Sequence, residues 1–178
     1  MSRAIRHFMN HAPTLGKRVF VDDSAVVTGQ VTLGDDTSVW PCVSIRGDLL
    51  AITIGHGSNV QDGSALHTSR PIPFNPTGHA LTIGNYVTIG HNATVHGCTI
   101  GNECLIGMGS VILDGVVVEN QVLVAAGSVV PPGKVLQSGY LYRGNPAQQA
   151  RLLKPEEIAM IKANALDYIK LKDQHLLI

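Results

Sequence analysis

Two histidines, His91 and His96, interrupt a stretch from Leu81 to Ser110 in which the dipeptide Ile-Gly recurs four times, LTIGNYVTIGHNATVHGCTIGNECLIGMGS. A third histidine, His67, lies closer to the N-terminus. Neutral imidazoles are good ligands for zinc, and three of them without a carboxylate or thiolate leave a fourth position open for water, as in catalytic zinc sites. Whether these three side chains can meet depends on the elements that carry them.

Those elements are indicated by a repeat of six residues, since aliphatic side chains recur at that interval through most of the chain. A period of six cannot stay on one face of an α-helix, which has 3.6 residues per turn, but it fits short strands with turns at fixed intervals. Such hexapeptide repeats predict an all-β fold, a parallel β-helix of triangular coils. The series, with one slip before Ile100, comprises Val21, Val27, Leu33, Val39, Ile45, Ile54, Val60, Leu66, Ile83, Ile89, Val95, Ile100, Ile106, Ile112, Val118, Val124 and Val130.

Breaks in the repeat set the domain boundaries. Residues 1–18 precede it and predict an N-terminal arm without the apolar centre of a secretory signal. The β-helix is predicted for 19–135, with a delay of about three residues within 48–53 and a Pro-rich loop inserted at 68–81. Residues 136–154 predict an irregular connector. Apolar residues then follow a helical spacing, and Pro155 suits a helix start, so 155–178 predict a C-terminal α-helix packed on the solenoid.

The repeat also assigns the histidines to faces. We call the sides that begin at Ile54, Val60 and Leu66 faces one, two and three. His67 and His96 each follow the inward residue of face three by one position, so they lie one coil apart at the same outward position and can share one metal ion. His91 lies on face two and points away from them. A neighbouring copy in a threefold assembly could present its own His91 to this pair, whereas Cys98 occupies an inward core position.

The composition excludes several classes of protein. Lysine plus arginine and aspartate plus glutamate number 13 each, so no basic surface suggests nucleic acid. No apolar run approaches the ~18 residues of a membrane span. Three cysteines without a C-x-x-C pair favour a reducing compartment, here the cytoplasm. Charged residues make up only 15% of the chain, which indicates either an unusual fold or a surface partly buried in neighbours, and a threefold assembly would bury parts of two faces.

Three motifs carry a resemblance to a known family. The segments SVWPCVSIRGD (38–48), NVQDGSALH (59–67) and IGHNATVHGCTIG (89–101) resemble the gamma-class carbonic anhydrases, and the likeness extends from Val19 to Leu153. It implies a left-handed β-helix, a homotrimer, and zinc (or Fe²⁺ or Co²⁺) at each subunit interface. His67 and His96 would come from one subunit and His91 from the next.

The resemblance also implies roles for other residues. Arg46 and Asp48 match an ion pair that holds subunits together near the site. Gln61 matches the glutamine that orients the hydroxide nucleophile. The remaining matched residues are the polar neighbours of that glutamine and a tyrosine near the metal, namely Asn59, Asp62 and Tyr142.

The implied activity is the reversible hydration of CO₂ to bicarbonate. One departure concerns proton export: Leu49 follows Asp48 where the archaeal branch of the family has a shuttle glutamate, and residues 68–81 contain no acidic side chain. Two alternatives therefore stay open. One is a non-catalytic, metal-stabilised trimeric scaffold, and the other is a hexapeptide-repeat acyltransferase that uses acetyl-CoA with one histidine as general base.

Overall fold

The computed structural model describes residues 4–177, which form a solenoid of short parallel strands with one long helix on its side. The strands are β1 (Ile5–Arg6), β2 (Thr14–Leu15), β3 (Phe20–Val21), β4 (Val26–Leu33), β5 (Ser38–Val39), β6 (Ser44–Ile54), β7 (Asn59–Val60), β8 (Ala65–His67), β9 (Leu81–Ile83), β10 (Thr88–Ile89), β11 (Thr94–His96), β12 (Thr99–Ile100), β13 (Leu105–Ile106), β14 (Val111–Ile112), β15 (Val117–Val118), β16 (Leu123–Val124), β17 (Val129–Val130), β18 (Val135–Leu136), β19 (Tyr140–Gly144) and β20 (Ala147–Leu152). The helix, α1, spans Pro155–His175.

The strands lie on three faces that match the predicted ones. Face two is a separate sheet in the order β20-β19-β16-β13-β10-β7-β5-β3. Faces one and three share a second sheet, because β4 and β6 each run around the corner between them. Apart from the last hairpin, the pairings are parallel, and the inward aliphatic residues of the repeat form one buried core. These observations confirm a parallel β-helix of triangular coils with a C-terminal helix packed on it.

The corner between faces three and one depends on two glycines. Gly29 of β4 pairs with Gly47 of β6 and has a φ of 80°, and a Cβ on Gly29 would lie 2.4 Å from the Gly47 carbonyl oxygen. Glycine is therefore required for the two strands to turn this corner in contact. Beyond it, the two steps from Gly29 to Val31 pair with the five steps from Gly47 to Ile52, so β6 carries three extra residues. The delay predicted within 48–53 is thus a bulge in a continuous strand, and it begins at Asp48.

Both ends of the solenoid carry further strands. Within the segment predicted as an arm, β1 and β2 pair with β4 and contribute to the first coil, while residues 1–3 lie outside the described part of the chain. The segment predicted as an irregular connector is not irregular: β19 and β20 form an antiparallel hairpin whose turn contains a cis Asn145–Pro146 peptide bond. Tyr142 and Ala147 of this hairpin are buried, so it closes the C-terminal end of the core.

Helix α1 packs on face two, where it contacts β3, β5 and β10. Its apolar side, with Ile161 and Ala165 fully buried, accounts for the helical spacing seen in the sequence. The fully buried Lys172 forms an ion pair with Asp36, with 3.1 Å between Nζ and Oδ1. Near the same helix end the Trp40 ring lies edge-on to His175. Among residues 4–177, no helix combines the length and the apolar character needed to cross a membrane.

Asp36 makes the stability of this helix contact depend on pH. The hydrogen bond from Arg18, supported by Lys172, lowers the pKa of Asp36 even though burial acts in the opposite direction. Between the pKa of Asp36 in the folded chain and its higher pKa in the unfolded chain, the unfolded chain therefore binds more protons. The stabilisation by Asp36 is complete above pH about 4 and is lost as the pH falls toward the folded pKa.

We expect the free energy of unfolding to decrease less between pH 6 and pH 3 in the Asp36→Asn variant than in the unaltered chain. Urea unfolding at the two pH values measures this difference. Equal decreases in the two proteins would show that Asp36 does not contribute to the acid sensitivity.

Candidate metal centre

His67 and His96 face each other on neighbouring coils of face three. Strand β8 pairs with β11 so that Leu66 lies beside Val95 and His67 beside His96, which confirms the register inferred from the six-residue repeat. The distance between His67 Nδ1 and His96 Nε2 is 3.1 Å, and the ring centroids are 5.2 Å apart. Leu66 and Val95 point into the core, so the two imidazoles point outward from the same side of the solenoid.

Each of the two imidazoles has a carboxylate on its other nitrogen. The bulge in β6 brings Asp48 to His67, with 2.9 Å between Nε2 and Oδ1, and Arg46 donates to the second Asp48 oxygen. On the other side, His96 Nδ1 lies 2.6 Å from Asp114 Oδ1. Burial alone would raise the pKa of each aspartate, but the hydrogen bonds outweigh it and hold both pKa values below their usual range. Both carboxylates are therefore ionised at neutral pH and can only accept protons in hydrogen bonds.

These contacts fix which nitrogen of each neutral ring carries the proton. His67 donates from Nε2 to Asp48, and His96 donates from Nδ1 to Asp114, so the two remaining nitrogens face each other with lone pairs. Two acceptors at 3.1 Å are unfavourable unless a cation lies between them. In a tetrahedral zinc site with Zn–N of about 2.05 Å, two nitrogens are about 3.3 Å apart. The donor set and its carboxylate backing thus fit a divalent metal ion.

His91 belongs to a different part of the surface. It follows β10 at the corner between faces two and three, and its Nδ1 lies 3.0 Å from Asp62 Oδ2 on the preceding coil. This contact leaves Nε2 of a neutral His91 as the nitrogen with the lone pair. His91 and Asp62 are both substantially exposed. Their arrangement repeats the carboxylate–imidazole pairing of the other two histidines.

Three polar residues stand beside His91 on face two. Gln61 is almost fully buried and donates from Nε2 to Asn59 Oδ1 at 3.1 Å. Asn59 in turn donates to the Thr88 hydroxyl at 2.9 Å. These bonds hold Gln61 at the edge of a cavity of about 240 Å³, which Leu105, Met108 and Leu123 also line. The side chain of Gln61 is therefore fixed before any ligand arrives.

One chain thus carries two candidate half-sites on different faces. We call His67, His96, Asp48 and Asp114 the face-three half-site, and His91, Asp62, Gln61 and Asn59 the face-two half-site. Outward side chains on different faces of a triangular coil diverge, so the two half-sites of one chain do not converge. Within residues 4–177, no group of three or more histidine, cysteine, aspartate and glutamate side chains is placed to hold a metal ion.

Tyr142 was expected near the metal, and this expectation is wrong. In the register of face two, Tyr142 pairs with Val124, three coils beyond Ile89. That separation is about 14 Å along the solenoid. Its ring is 2% exposed within the core cluster, and its hydroxyl accepts from the Gln137 amide and donates to Gln149. The tyrosine takes an inward position of the repeat, so it closes the core and does not line a half-site.

Cys98, which lies two residues after His96, is also a core residue, as the repeat predicted. It is 2% exposed, and burial, together with the charge of Asp114, raises the pKa of its thiol to about 12. A thiol in this state does not supply the thiolate that a metal ligand or nucleophile requires.

Asp114 is a candidate site residue that the sequence pattern did not single out. It lies one coil beyond His96, eighteen residues along the chain. The register of face three places Leu113 beside His96 and Asp114 at the adjacent corner, so the repeat assigns Asp114 to the next coil but does not reveal its contact with His96.

An open cleft of about 380 Å³ leads to the face-three half-site. Its walls include the two histidines, and the exposed apolar side chains Leu49 and Ile72 stand at its rim. Leu49 belongs to the bulge in β6 and Ile72 to the inserted loop. The two departures from the regular repeat therefore shape the approach to His67 and His96.

Comparisons with known proteins agree on a hexapeptide-repeat fold and include relatives named carbonic anhydrase. A family described as bacterial transferase hexapeptide (six repeats) matches residues 97–132. The chain is 50% identical over 176 residues to protein YrdA of Escherichia coli (strain K12), covering 99% of this chain and 96% of the relative. It is 39% identical to a carbonic anhydrase of Geobacillus kaustophilus, covering 92% of this chain and 86% of the relative.

A plant relative and a solved bacterial structure also match nearly all of this chain. The chain is 42% identical to gamma carbonic anhydrase 1, mitochondrial, of Arabidopsis thaliana, covering 97% of this chain and 62% of that longer relative. The solved structure of a hexapeptide transferase family protein from Anaplasma phagocytophilum matches with a TM-score of 0.90 at 34% identity, covering 98% of this chain and 99% of that chain.

Proposed function

The chain belongs to the gamma carbonic anhydrase family, and from that premise we propose that it catalyses the reversible hydration of CO₂ to bicarbonate at the subunit interfaces of a homotrimer. The observation that carries the proposal is the pair of imidazole nitrogens, His67 Nδ1 and His96 Nε2, that face each other at 3.1 Å with an aspartate behind each ring. We further propose that the protein acts in the cytoplasm, a reducing compartment that suits its free cysteines Cys42, Cys98 and Cys104.

His67 and His96 of one subunit and His91 of a neighbouring subunit would hold the metal ion, with zinc, Fe²⁺ or Co²⁺ as candidates. In a closed threefold ring, each face-three half-site meets the face-two half-site of the next chain, which gives one metal ion per chain. When bound to three neutral imidazoles, such an ion supplies a water whose pKa is lowered to about 7.

The protein's own residues orient the reactants around that position. Asp48, Asp114 and Asp62 each bind one ring nitrogen of an imidazole and so fix the orientation of the three rings, with the other nitrogen turned toward the metal position. Gln61 is fixed by Asn59 and offers an amide that directs the attacking oxygen toward CO₂. Arg46 holds Asp48 against His67 within the chain, and the same pair lies where the family's intersubunit ion pair is expected.

The cleft beside His67 and His96 gives CO₂ a route to the site. CO₂ is small and carries no charge, and the exposed Leu49 and Ile72 offer it an apolar rim.

Neither Leu49 nor the inserted loop, residues 68–81, supplies a carboxylate to take up the released proton. Protons would therefore leave through water and buffer, and the rate should increase with buffer concentration.

A metal-stabilised scaffold without activity is the second candidate, because Leu49 occupies the position of a shuttle glutamate. An acetyl-CoA-dependent acyltransferase is the third, and the hexapeptide transferase family protein at 34% identity is what favours it. The three functions differ in what the purified trimer does with CO₂ and with acetyl-CoA.

The test uses one anaerobic preparation of the full chain. Elemental analysis is expected to give about one divalent metal ion per chain. Stopped-flow measurement is expected to give CO₂ hydration with kcat/KM above about 10⁴ M⁻¹s⁻¹. A metal-replete trimer without hydration above the buffer rate at several pH values would refute carbonic anhydrase activity and leave the scaffold, while activity with acetyl-CoA in a metal-free protein would support the transferase.

A further inference from the structure

We propose that Asp114 is a positioning residue for the metal ligand His96 and that the inserted loop, residues 68–81, holds Asp114 in place. This inference deepens the proposed function and rests on it. Asp114 lies outside all three segments on which the family resemblance was recognised, and its role follows from the contacts of its two oxygens and from the glycine beneath it.

The two oxygens of Asp114 have separate partners. Oδ1 accepts from His96 Nδ1 at 2.6 Å, and Oδ2 accepts from the Ser69 hydroxyl at 2.5 Å. One oxygen therefore orients the imidazole while the other is anchored. Because a carboxylate can only accept, this arrangement protonates Nδ1 and leaves Nε2 of His96 free for the metal.

Gly97 makes this contact possible. Its φ is 48°, and a Cβ at this residue would lie 2.3 Å from Asp114 Oδ1 and 2.7 Å from His79 Cβ. Any side chain at residue 97 would therefore occupy the space through which the carboxylate reaches His96. Gly97, which directly follows the ligand His96, therefore leaves the space that Asp114 of the next coil needs to reach His96.

The inserted loop supplies the anchor. Ser69 and His79, at the two ends of the loop, are joined by a pair of backbone hydrogen bonds of 3.0 Å each. The His79 ring lies over Gly115, where a Cβ would be 3.0 Å from its Cε1. Ser69 therefore contacts Asp114 through its hydroxyl, and His79 packs next to Gly115, the residue that follows Asp114. A loop that looks like a surface insertion is in this way connected to the metal ligand.

The functional consequence is a His96 ring of fixed orientation, with Nδ1 bound to Asp114 and Nε2 directed outward. Carboxylate partners of metal-bound histidines hold the ring in place and increase its basicity, and their removal typically lowers metal affinity about 10- to 100-fold. A purely structural role for Asp114 would leave the tautomer of His96 unaltered. The tautomer is therefore the property that separates the two roles.

The experiment compares the full chain with its Asp114→Ala and Gly97→Ala variants. Zinc affinity, measured by competition with a chelator, is expected to fall about 10- to 100-fold in both. In the metal-free trimers, ¹⁵N NMR of histidine-labelled protein is expected to show His96 protonated at Nδ1 in the unaltered chain, and to show this state lost in both variants. The His96→Gln variant assigns the signal.

Two controls isolate the effect. Asp167→Ala removes an exposed helix carboxylate that pairs with Lys170 and should leave affinity and tautomer unchanged. Gly139→Ala places a Cβ at a φ of 78° with no atom within 4 Å, so it reproduces the backbone strain of Gly97→Ala without displacing a neighbour.

Zinc affinity of Asp114→Ala within twofold of the unaltered chain, or an unchanged His96 tautomer, would overturn the inference. If the unaltered trimer binds no metal, the proposed function fails, and the NMR comparison of the metal-free proteins still decides whether Asp114 fixes His96.

Discussion

Replacing His91 with alanine is expected to reduce bound metal from about one ion per chain to less than about a tenth, because three imidazoles complete the site and two do not hold the ion. His91 lies at a corner and is partly exposed, so the variant should keep its fold and its trimeric state. CO₂ hydration should fall at least about a hundredfold, since hydroxide formation near neutral pH depends on the bound metal. Elemental analysis, light scattering and stopped-flow kinetics measure the three quantities.

The matched control is His11→Ala, which removes an exposed imidazole outside both half-sites. It should retain metal and activity. A His91→Ala trimer that still carries one metal ion per chain would show that His91 is not a ligand. A variant that loses both metal and trimer would be interpreted only together with His67→Ala and His96→Ala, which alter the other half-site.

Replacing Gln61 with alanine is expected to slow the reaction without removing the metal. Gln61 does not belong to the ligand set, and Asn59 holds its amide in a buried position beside His91. Removing one such oriented group from a reaction site typically costs about 10²-fold in kcat. We therefore expect kcat for CO₂ hydration to fall by this order while the metal content stays at about one ion per chain.

The control for this variant is Gln121→Ala, whose amide bonds to Glu103 away from both half-sites. Asn59→Ala should give a smaller loss than Gln61→Ala, because it frees the Gln61 side chain but leaves the amide present. A Gln61→Ala enzyme with an unchanged kcat would remove Gln61 from the mechanism, whereas loss of metal would show that it acts through the ligands.

The register of the solenoid was predictable from sequence because each six-residue unit has one inward aliphatic residue, and stacking of these residues fixes every outward neighbour. Leu66 and Val95 therefore predicted the pairing of His67 with His96, which the structure confirms. The same regularity of the sequence places His91 on a different face from the other two histidines.

Other features depend on corners and ends, where the repeat gives no period to follow. The contact between Asp114 and His96 requires a carboxylate to cross a corner over Gly97, which spacing along one face does not reveal. At the C-terminal end, the family resemblance matches Tyr142 to a tyrosine near the metal, but the inward register of face two continues to this residue and buries its ring. The hairpin of β19 and β20 likewise follows no hexapeptide pattern.

The central claim is that each metal site is shared between two chains, and subunit mixing tests it most directly. His91→Ala keeps the face-three half-site, and His96→Ala keeps the face-two half-site, so each variant alone should lack metal and activity. Random assembly of the two in equal amounts should restore about a quarter of the sites, because that fraction of interfaces combines two intact halves. Mixing His67→Ala with His96→Ala should restore nothing, since both changes alter the same half-site. Recovery of metal and CO₂ hydration in the first mixture only is the predicted result, and a first mixture as inactive as its parents would contradict the shared site.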